Sequence, residues 1–552
     1  MPGLPSPIQG RPTVARLTTI DWLVIALYFA VTAVGAVWAT RRERAGAQET
    51  SADYFLAGRN TGWFIIGASL FSSNIGSEHL VGLAGTGAAS GVAVAQFEIL
   101  AAFILLLLGW LFTPFYLRSG VYTMPEFLER RYSPAARWYL AGISIVGYVL
   151  TKISVTIFAG GVVFEALMGI NFWTGAILVV VATGIYTLFG GLRAVLITDT
   201  IQMVVLIGGS IVVTVVGLNA VGGWGELTRA AGPEFMDMWK PASDPAFPWT
   251  GILFGAPILG VWYWCTDQFI VQRVLAARNL SEARRGTIFA GFLKILPLFI
   301  FVIPGVVAMV LARQGRLQLG SPDQALPALV AELLPSGLRG LVVAGLLAAL
   351  MSSLSSVFNS TSTLITWDVY KKLRPGASER QLVTVGRLST GVLVVLGLLW
   401  IPLMKLISGQ LYQYIQSVQA YIAPPITAVF LLGLFSSRLN ARGAMTSLLV
   451  GFVLGMGRLV AELNKASLDG WLLAYAEINF LHFAAFLFVV CSAVLVVASM
   501  TAPAPSREQL AGLTFQTTPA GEPQEPAGRR TEGVVLSALL VATVVVIWLY
   551  FS

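Results

Sequence analysis

The chain has 552 residues, of which 56% are hydrophobic and only 11% charged, and a formal net charge of +8. A water-soluble globule carries about a quarter charged residues, so most of this chain must be solvated by lipid. The positive balance reads as a topology signal that also suits anionic lipid headgroups, and it calls for no nucleic-acid partner.

Apolar stretches of about 20 residues, the length that spans hydrocarbon, give about fourteen predicted helices when long ones broken by Gly or Pro count once. They fall near 20–40, 62–88, 91–117, 137–167, 171–190, 194–218, 250–274, 286–312, 338–368, 382–404, 411–436, 443–462, 479–500 and 534–552. The first is followed at once by Arg41, Arg42 and Arg44, a cytoplasmic marker that puts the N-terminus outside. Alternate crossings then bring "ERRYSPAAR", "QRVLAARNLSEARR", "YKKLRPGASER" and "SSRLNAR" inside and return the C-terminus to the outside. The reading is of a multi-pass plasma-membrane protein, the inner membrane in a bacterial cell.

Polar residues inside such spans are costly and therefore face cavities. In the second span, "SLFSSNIGSEHLVG" places Ser72, Ser73, Asn74, Gly76, Ser77, Glu78 and His79 together, which predicts a broken helix with free carbonyls to ligate a cation. In the seventh, Pro257 between Gly255 and Gly260 predicts a second break beside Trp262, Tyr263 and Trp264. Two interrupted spans five helices apart fit inverted repeats with a substrate between them. In the ninth, Ser352, Ser355, Ser356, Asn359 and Thr363 recur at helical spacing and share one polar face. Neutral oxygens in that setting suit Na⁺, with H⁺ and Li⁺ left open by spacing alone. The stretch 502–533 is Pro-rich and polar, and reads as a flexible linker before the last span.

Two cysteines, Cys265 and Cys491, both in predicted spans, allow neither a disulfide frame nor a thiol metal site. GxxxxGK[ST], HExxH and GxSxG do not occur, so ATP coupling and hydrolytic catalysis are not expected and the chain is read as no enzyme.

The strings "GASLFSSNIGSEHLVGLAGTGAASG", "WYWCTDQFIVQRVL", "LMSSLSSVFNSTSTL" and "YIQSVQAYIAPP" resemble the sodium/glucose cotransporters of the sodium/solute symporter family, in order, from about residue 54 to residue 500. The resemblance implies an all-α membrane protein of LeuT-type fold. Residues 1–50 would carry the N-terminal segment and an extra helix, 51–220 the first inverted five-helix repeat and 221–440 the second. Two further helices would occupy 441–501, the linker 502–533 and the last helix 534–552. It implies a main Na⁺ site on the carbonyls of Ser72, Ile75 and Ala349 and the hydroxyls of Ser352 and Ser353. A second Na⁺ site would use Asp199, Ser352, Ser355 and Ser356. A sugar would bond to Asn74, His79, Glu98, Lys294 and Gln416, lie on Trp264, and be closed off by Tyr263 on the cytoplasmic side. The expected activity is sodium-driven import of a glucose- or galactose-like hexose with two Na⁺ per sugar. The alternatives are transport of myo-inositol or another small polar solute, and a membrane sensor that no longer transports. The sequence departs from the animal pattern at Glu78, Gly260 and Gln419, and lacks the large external insert between residues 313 and 337.

Overall fold

The computed structural model describes residues 17–41, 50–76, 78–404, 411–517 and 526–552. Arg42, Arg44 and Ser77, and the side chains of Arg41 and Glu78, lie outside the described set. In chain order the helices that build the membrane body begin with α1 (Thr19–Arg41), α2 (Trp63–Asn74), α3 (Ala84–Ser90) and α4 (Gln96–Leu107). Next come α5 (Pro134–Gly147), α6 (Ser154–Met168), α7 (Phe172–Val221), α8 (Ala256–Val261) and α9 (Gln268–Leu275). Then follow α10 (Leu280–Leu293), α11 (Ile303–Arg313), α12 (Leu338–Leu364) and α13 (Glu379–Met404). The set closes with α14 (Leu411–Phe435), α15 (Ala441–Leu463), α16 (Phe480–Met500) and α17 (Ala527–Tyr550). Among the described residues, ten helices are long and apolar enough to cross a membrane.

The most extensive contact in the bundle joins α7 to α12. The apolar window of α12 is 94% buried, against 22% for α1 and 17% for the last span, so α12 is the central post and α1 and α17 turn most of their surface to lipid. A polar stripe on α12 is tolerable for that reason: its hydroxyls meet protein rather than hydrocarbon.

The fifty residues of α7 run over two predicted spans, 171–190 and 194–218, and kink at Gly191 (φ 54°, ψ −159°), a conformation open essentially to glycine alone. A methyl group there would also stand 2.5 Å from the carbonyl oxygen of Tyr54. The kink is therefore fixed twice, by backbone conformation and by close approach.

The first predicted break is found where expected: α2 stops at Asn74, Ile75 is extended (φ −78°, ψ 92°), and helix resumes through a π-helical stretch, Glu78–Leu83. The second is displaced. Beside Pro257 the interruption is slight: a helix Trp249–Phe254 ends at Gly255, which keeps near-helical dihedrals (φ −95°, ψ −49°), and α8 starts at once with Pro257 in its first turn and Ile258 N turned back to Gly255 O at 3.1 Å. Unwinding comes at Asp267 (φ −79°, ψ 125°), whose carboxylate accepts from Phe269 N at 3.2 Å and so starts α9 afresh. An aspartate cap, not the proline, sets the break.

Part of the stretch expected to be a flexible linker is packed. Leu510 and Leu513 are buried, and Phe515 lies edge-on to Phe115 at 4.7 Å and stacks on Phe435 at 5.1 Å. Gln509 Nε2 donates to Tyr132 O and Arg118 Nη1 to Gly512 O. A few apolar side chains inside a polar average are enough to dock the segment as far as Thr517.

Gly191→Ala is expected to lower stability by about 1–3 kcal/mol through the forced φ and the contact with Tyr54 O. Thermal unfolding in detergent measures it, and an unchanged midpoint would remove the kink from the set of structural determinants.

Candidate functional site: two interrupted helices around a polar cavity

Residues flanking the two breaks line one polar cavity. All seven side chains expected to hold the sugar line it: Asn74, His79, Glu98, Tyr263, Trp264, Lys294 and Gln416. Asn74 belongs to the last turn of α2 and His79 to the π turn beyond the break. Glu98 is in the first turn of α4, Tyr263 and Trp264 in the wide turn before Asp267, and Lys294 at the C-cap of α10. Gln416, on α14, is half-buried at the wall.

Lys294 is the hub, with its ammonium bonded to Glu98 Oε2 and to Asn74 Oδ1. Glu98 Oε1 is 3.3 Å from His79 Nε2, and Asn74 Nδ2 donates to the Tyr263 hydroxyl at 3.0 Å. The ammonium also lies 5.5 Å from the centroid of the Trp264 ring. Lys294 and Glu98 are 1% and 3% exposed, so each charge depends on the other, and the pair supplies donors and acceptors to whatever enters. A ring of donors and acceptors beside an aromatic face suits a polyhydroxylated ring, whose hydroxyls do both and whose C–H face is apolar.

The residues expected at the main ion site converge where α2 ends against α12. Ser353 Oγ donates to Ser73 O at 3.3 Å, and Ser72 Oγ donates to Ser352 Oγ at 3.0 Å. Past the break, Gly76 N bonds to Asn74 O rather than to Ser72 O, and His79 N to Gly76 O rather than to Ile75 O. Unwinding thus takes these helical partners from the carbonyls of Ser72 and Ile75. Ala349 is fully buried on α12 one turn before Ser352 and Ser353.

Asp199, fully buried on α7, gathers the hydroxyls around it. Oδ2 accepts from Ser69 at 2.5 Å and Ser73 at 3.0 Å, and Oδ1 from Ser352 at 2.6 Å. Ser356 reaches this cluster through Ser73 Oγ at 3.0 Å, whereas Ser355 donates to Ser352 O of its own helix at 3.0 Å. Asn359 and Thr363, lower on the same face, accept from the amide of Gln272.

Sequence reasoning missed several of these groups. Asp199 has no basic neighbour in sequence, yet Arg273 Nη2 stands 3.9 Å from its Oδ2. Lys152 lines the cavity and lies 4.1 Å from the Tyr263 ring centroid and 3.7 Å from Asp267 Oδ2. Tyr148 donates to Asp267 Oδ1. Thr156 and Gln419 complete the polar lining. Lys152 carried a signal, a charge in the middle of a predicted span. Arg273 did not, because its basic string reads equally well as a cytoplasmic loop.

A helical membrane body in which two interrupted spans meet over a buried polar cavity is a secondary transporter of the LeuT type. Solved structures share the fold. A Na⁺-coupled sialic acid symporter in a substrate-bound outward-open state matches with a TM-score of 0.76 over 88% of this chain and 99% of that one, at 24% identity. A nucleobase-cation-symport-1 family transporter in a closed conformation matches with a TM-score of 0.55 over 85% and 99%, at 15% identity. The chain belongs to the sodium:solute symporter family, whose sequence profile matches residues 54–451. It is 41% identical to sodium/glucose cotransporter 4 of Mus musculus, over 91% of this chain and 78% of the relative. It is 40% identical to sodium/glucose cotransporter 1 of Oryctolagus cuniculus (91% and 81%) and 39% to the sodium/myo-inositol cotransporter of Homo sapiens (91% and 76%). The protein is a multi-pass sodium/solute symporter with sodium as its coupling ion, and not an enzyme.

Lys294→Met should destabilise the protein by about 3–5 kcal/mol by leaving Glu98 buried without its cation, and adding Glu98→Gln should recover most of the loss. A double-mutant cycle on thermal unfolding in detergent reads the coupling; additive losses would mean that the two charges do not depend on each other.

Proposed function

We propose that this symporter imports a hexose of the glucose or galactose type with two sodium ions per sugar by alternating access. The observation that carries the reading is the hub in which Lys294 joins Glu98 and Asn74 beside the Trp264 ring. It offers hydroxyl donors, hydroxyl acceptors and an aromatic face within one small cavity. The similarity to sodium/glucose cotransporters 4 and 1 supports the same substrate class. One observation favours a second reading: the sodium/myo-inositol cotransporter is almost as similar, and a cyclitol presents the same ring of hydroxyls.

The main sodium is assigned to the carbonyls of Ser72, Ile75 and Ala349 with Ser352 and Ser353. The second is assigned to Asp199 with Ser352, Ser355 and Ser356. An ion held between the end of α2 and α12 favours the arrangement in which Asn74 and His79 converge on the sugar; sugar binding then permits closure, and Tyr263 gives way on the inner side. With both termini outside in a plasma membrane, at −100 mV each charge moved inward supplies about 2.3 kcal/mol. Two ions give about 4.6 kcal/mol, roughly a 2,000-fold sugar gradient, where one gives only about 50-fold.

Uptake into proteoliposomes over a panel of labelled hexoses, inositol and amino acids tests the substrate. Sodium-dependent uptake of a hexose is expected, and transport of inositol alone would select the second reading. A protein that binds sugar but accumulates none would be the sensor. Gln416→Ala should weaken sugar affinity by about 1–3 kcal/mol with sodium half-saturation nearly unchanged, and equal affinity for every transported solute would take Gln416 out of the site.

For the ions, Ser353→Ala should abolish or strongly weaken sodium-driven uptake in a protein that still folds. Asp199→Asn should lower the sodium-to-sugar ratio from two toward one. Paired sodium and sugar fluxes measure both, and a wild-type ratio of one would withdraw the second site.

A further inference from the structure

Arg273 and Asp199 are both completely buried, yet they do not form a direct hydrogen-bonded pair: Nη2 is 3.9 Å from Oδ2 and has no hydrogen-bond partner among the described residues. They are joined instead through two hydroxyls. Arg273 Nε donates to Ser69 Oγ at 3.2 Å and to Ser73 Oγ at 3.0 Å, and the same two hydroxyls donate to Asp199 Oδ2. Each serine therefore points its proton at the carboxylate and its lone pairs at the guanidinium. Ser73 Oγ accepts from Ser356 as well.

This arrangement has a consequence for any metal ion at Asp199. A sodium ion there needs the charge of Asp199, and that carboxylate is the group that Arg273 balances, through Ser69 and Ser73 and across 3.9 Å. The two cations compete for the same carboxylate. They also sit on different parts of the fold: Asp199 is in the middle of α7, whereas Arg273 is on α9, the half-helix that starts afresh after the break at Asp267. Its Nη1 donates to Phe269 O, so the guanidinium is tied to the backbone of that half-helix.

We propose that Arg273 is the resident cation of the second ion site: it neutralises Asp199 when no sodium is there, and a sodium arriving at Asp199 takes over that charge and frees α9. The proposal rests on the assignment of Asp199 to the second sodium. The gap of 3.9 Å bridged by hydroxyls makes the exchange a small displacement rather than the rupture of a bidentate pair. It ties occupancy of the second site to release of the inner half of the interrupted helix.

The test uses the full-length protein with Arg273→Gln, Arg273→Lys and the double variant Arg273→Gln/Asp199→Asn. Sodium half-saturation is read from thermal stability in detergent and from sugar uptake in proteoliposomes, together with the sodium-to-sugar flux ratio. In Arg273→Gln the competing cation is gone, so the sodium concentration for half-maximal stabilisation should fall by about tenfold or more. Arg273→Lys retains the charge and should stay within a few-fold of wild type. The double variant should fold without sodium, lose the high-affinity response and carry one sodium per sugar. Arg273→Gln that unfolds in potassium but is rescued by sodium also supports the proposal, because it identifies the ion that replaces the guanidinium. An unchanged half-saturation in Arg273→Gln overturns it, as does a loss of folding that sodium does not rescue and that persists in the double variant. A wild-type ratio of one that stays at one in Arg273→Gln overturns the second site itself; a wild-type ratio of two with unchanged half-saturation overturns only the part given to Arg273.

Discussion

Backbone that unwinds inside a membrane must find partners in protein, and the rest of this structure is arranged around the place where α2 does so. At Ile75 and Gly76 the helical ladder is given up, and α12 brings Ser352 and Ser353 to the gap. Lipid could not satisfy those groups; a post buried along nearly its whole length can. The same unwinding leaves Asn74 and His79 on opposite sides of the break and in one cavity, so the feature that frees carbonyls from the helical ladder also brings two polar side chains to the cavity wall. An ion and a solute held as proposed would be coupled by geometry, each favouring the conformation the other needs.

The second organising rule is that a buried charge keeps company. Glu98 is shared by Lys294 and His79, Asp267 by Tyr148 and Lys152, and Asp199 by three serines with Arg273 beyond. Farther along the bundle, Asp368 meets Arg137 Nε at 2.6 Å and Thr123, while Arg137 also bonds to Glu129 and to the carbonyl of Trp367. Each cluster joins elements distant in sequence, and several join a broken helix to an unbroken one. Relative movement of those helices must exchange such contacts in sets, since a single orphaned charge in low dielectric is costly. Discrete states rather than gradual opening are the natural outcome.

The basic residues show how one chemical type takes two roles. Read as a string, "ERRYSPAAR" is a positive flank of a span. In the fold, Arg131 is buried and donates to the carbonyls of Gly433, Ser436 and Leu439, capping the end of α14, and Arg137 is buried on Asp368. Arg273 lies in another such string and is buried at Asp199. These guanidiniums are structural cations first, and five donors in a rigid fork explain why arginine rather than lysine does the capping.

By itself the sequence determined the class of the protein. Apolar length, the cost of polar groups in hydrocarbon and the i, i+3, i+4 recurrence of the α12 serines are local properties, and each survives being read one segment at a time. The break at Ser72–His79 was legible for the same reason, since its own composition could not continue a lipid-facing helix. The second break was misplaced because Pro257 is a local signal that the neighbouring turn absorbs, whereas the capping of α9 by Asp267 depends on a carboxylate held by Tyr148 from another helix. Arg273, Lys152 and Gln272 acquire their partners only when α9, α12 and the cavity wall are brought together from positions up to two hundred residues apart. Which charge faces which is fixed by packing, because in a low dielectric the partner of a charge is whatever stands a few ångströms away, and sequence separation carries no information about that distance.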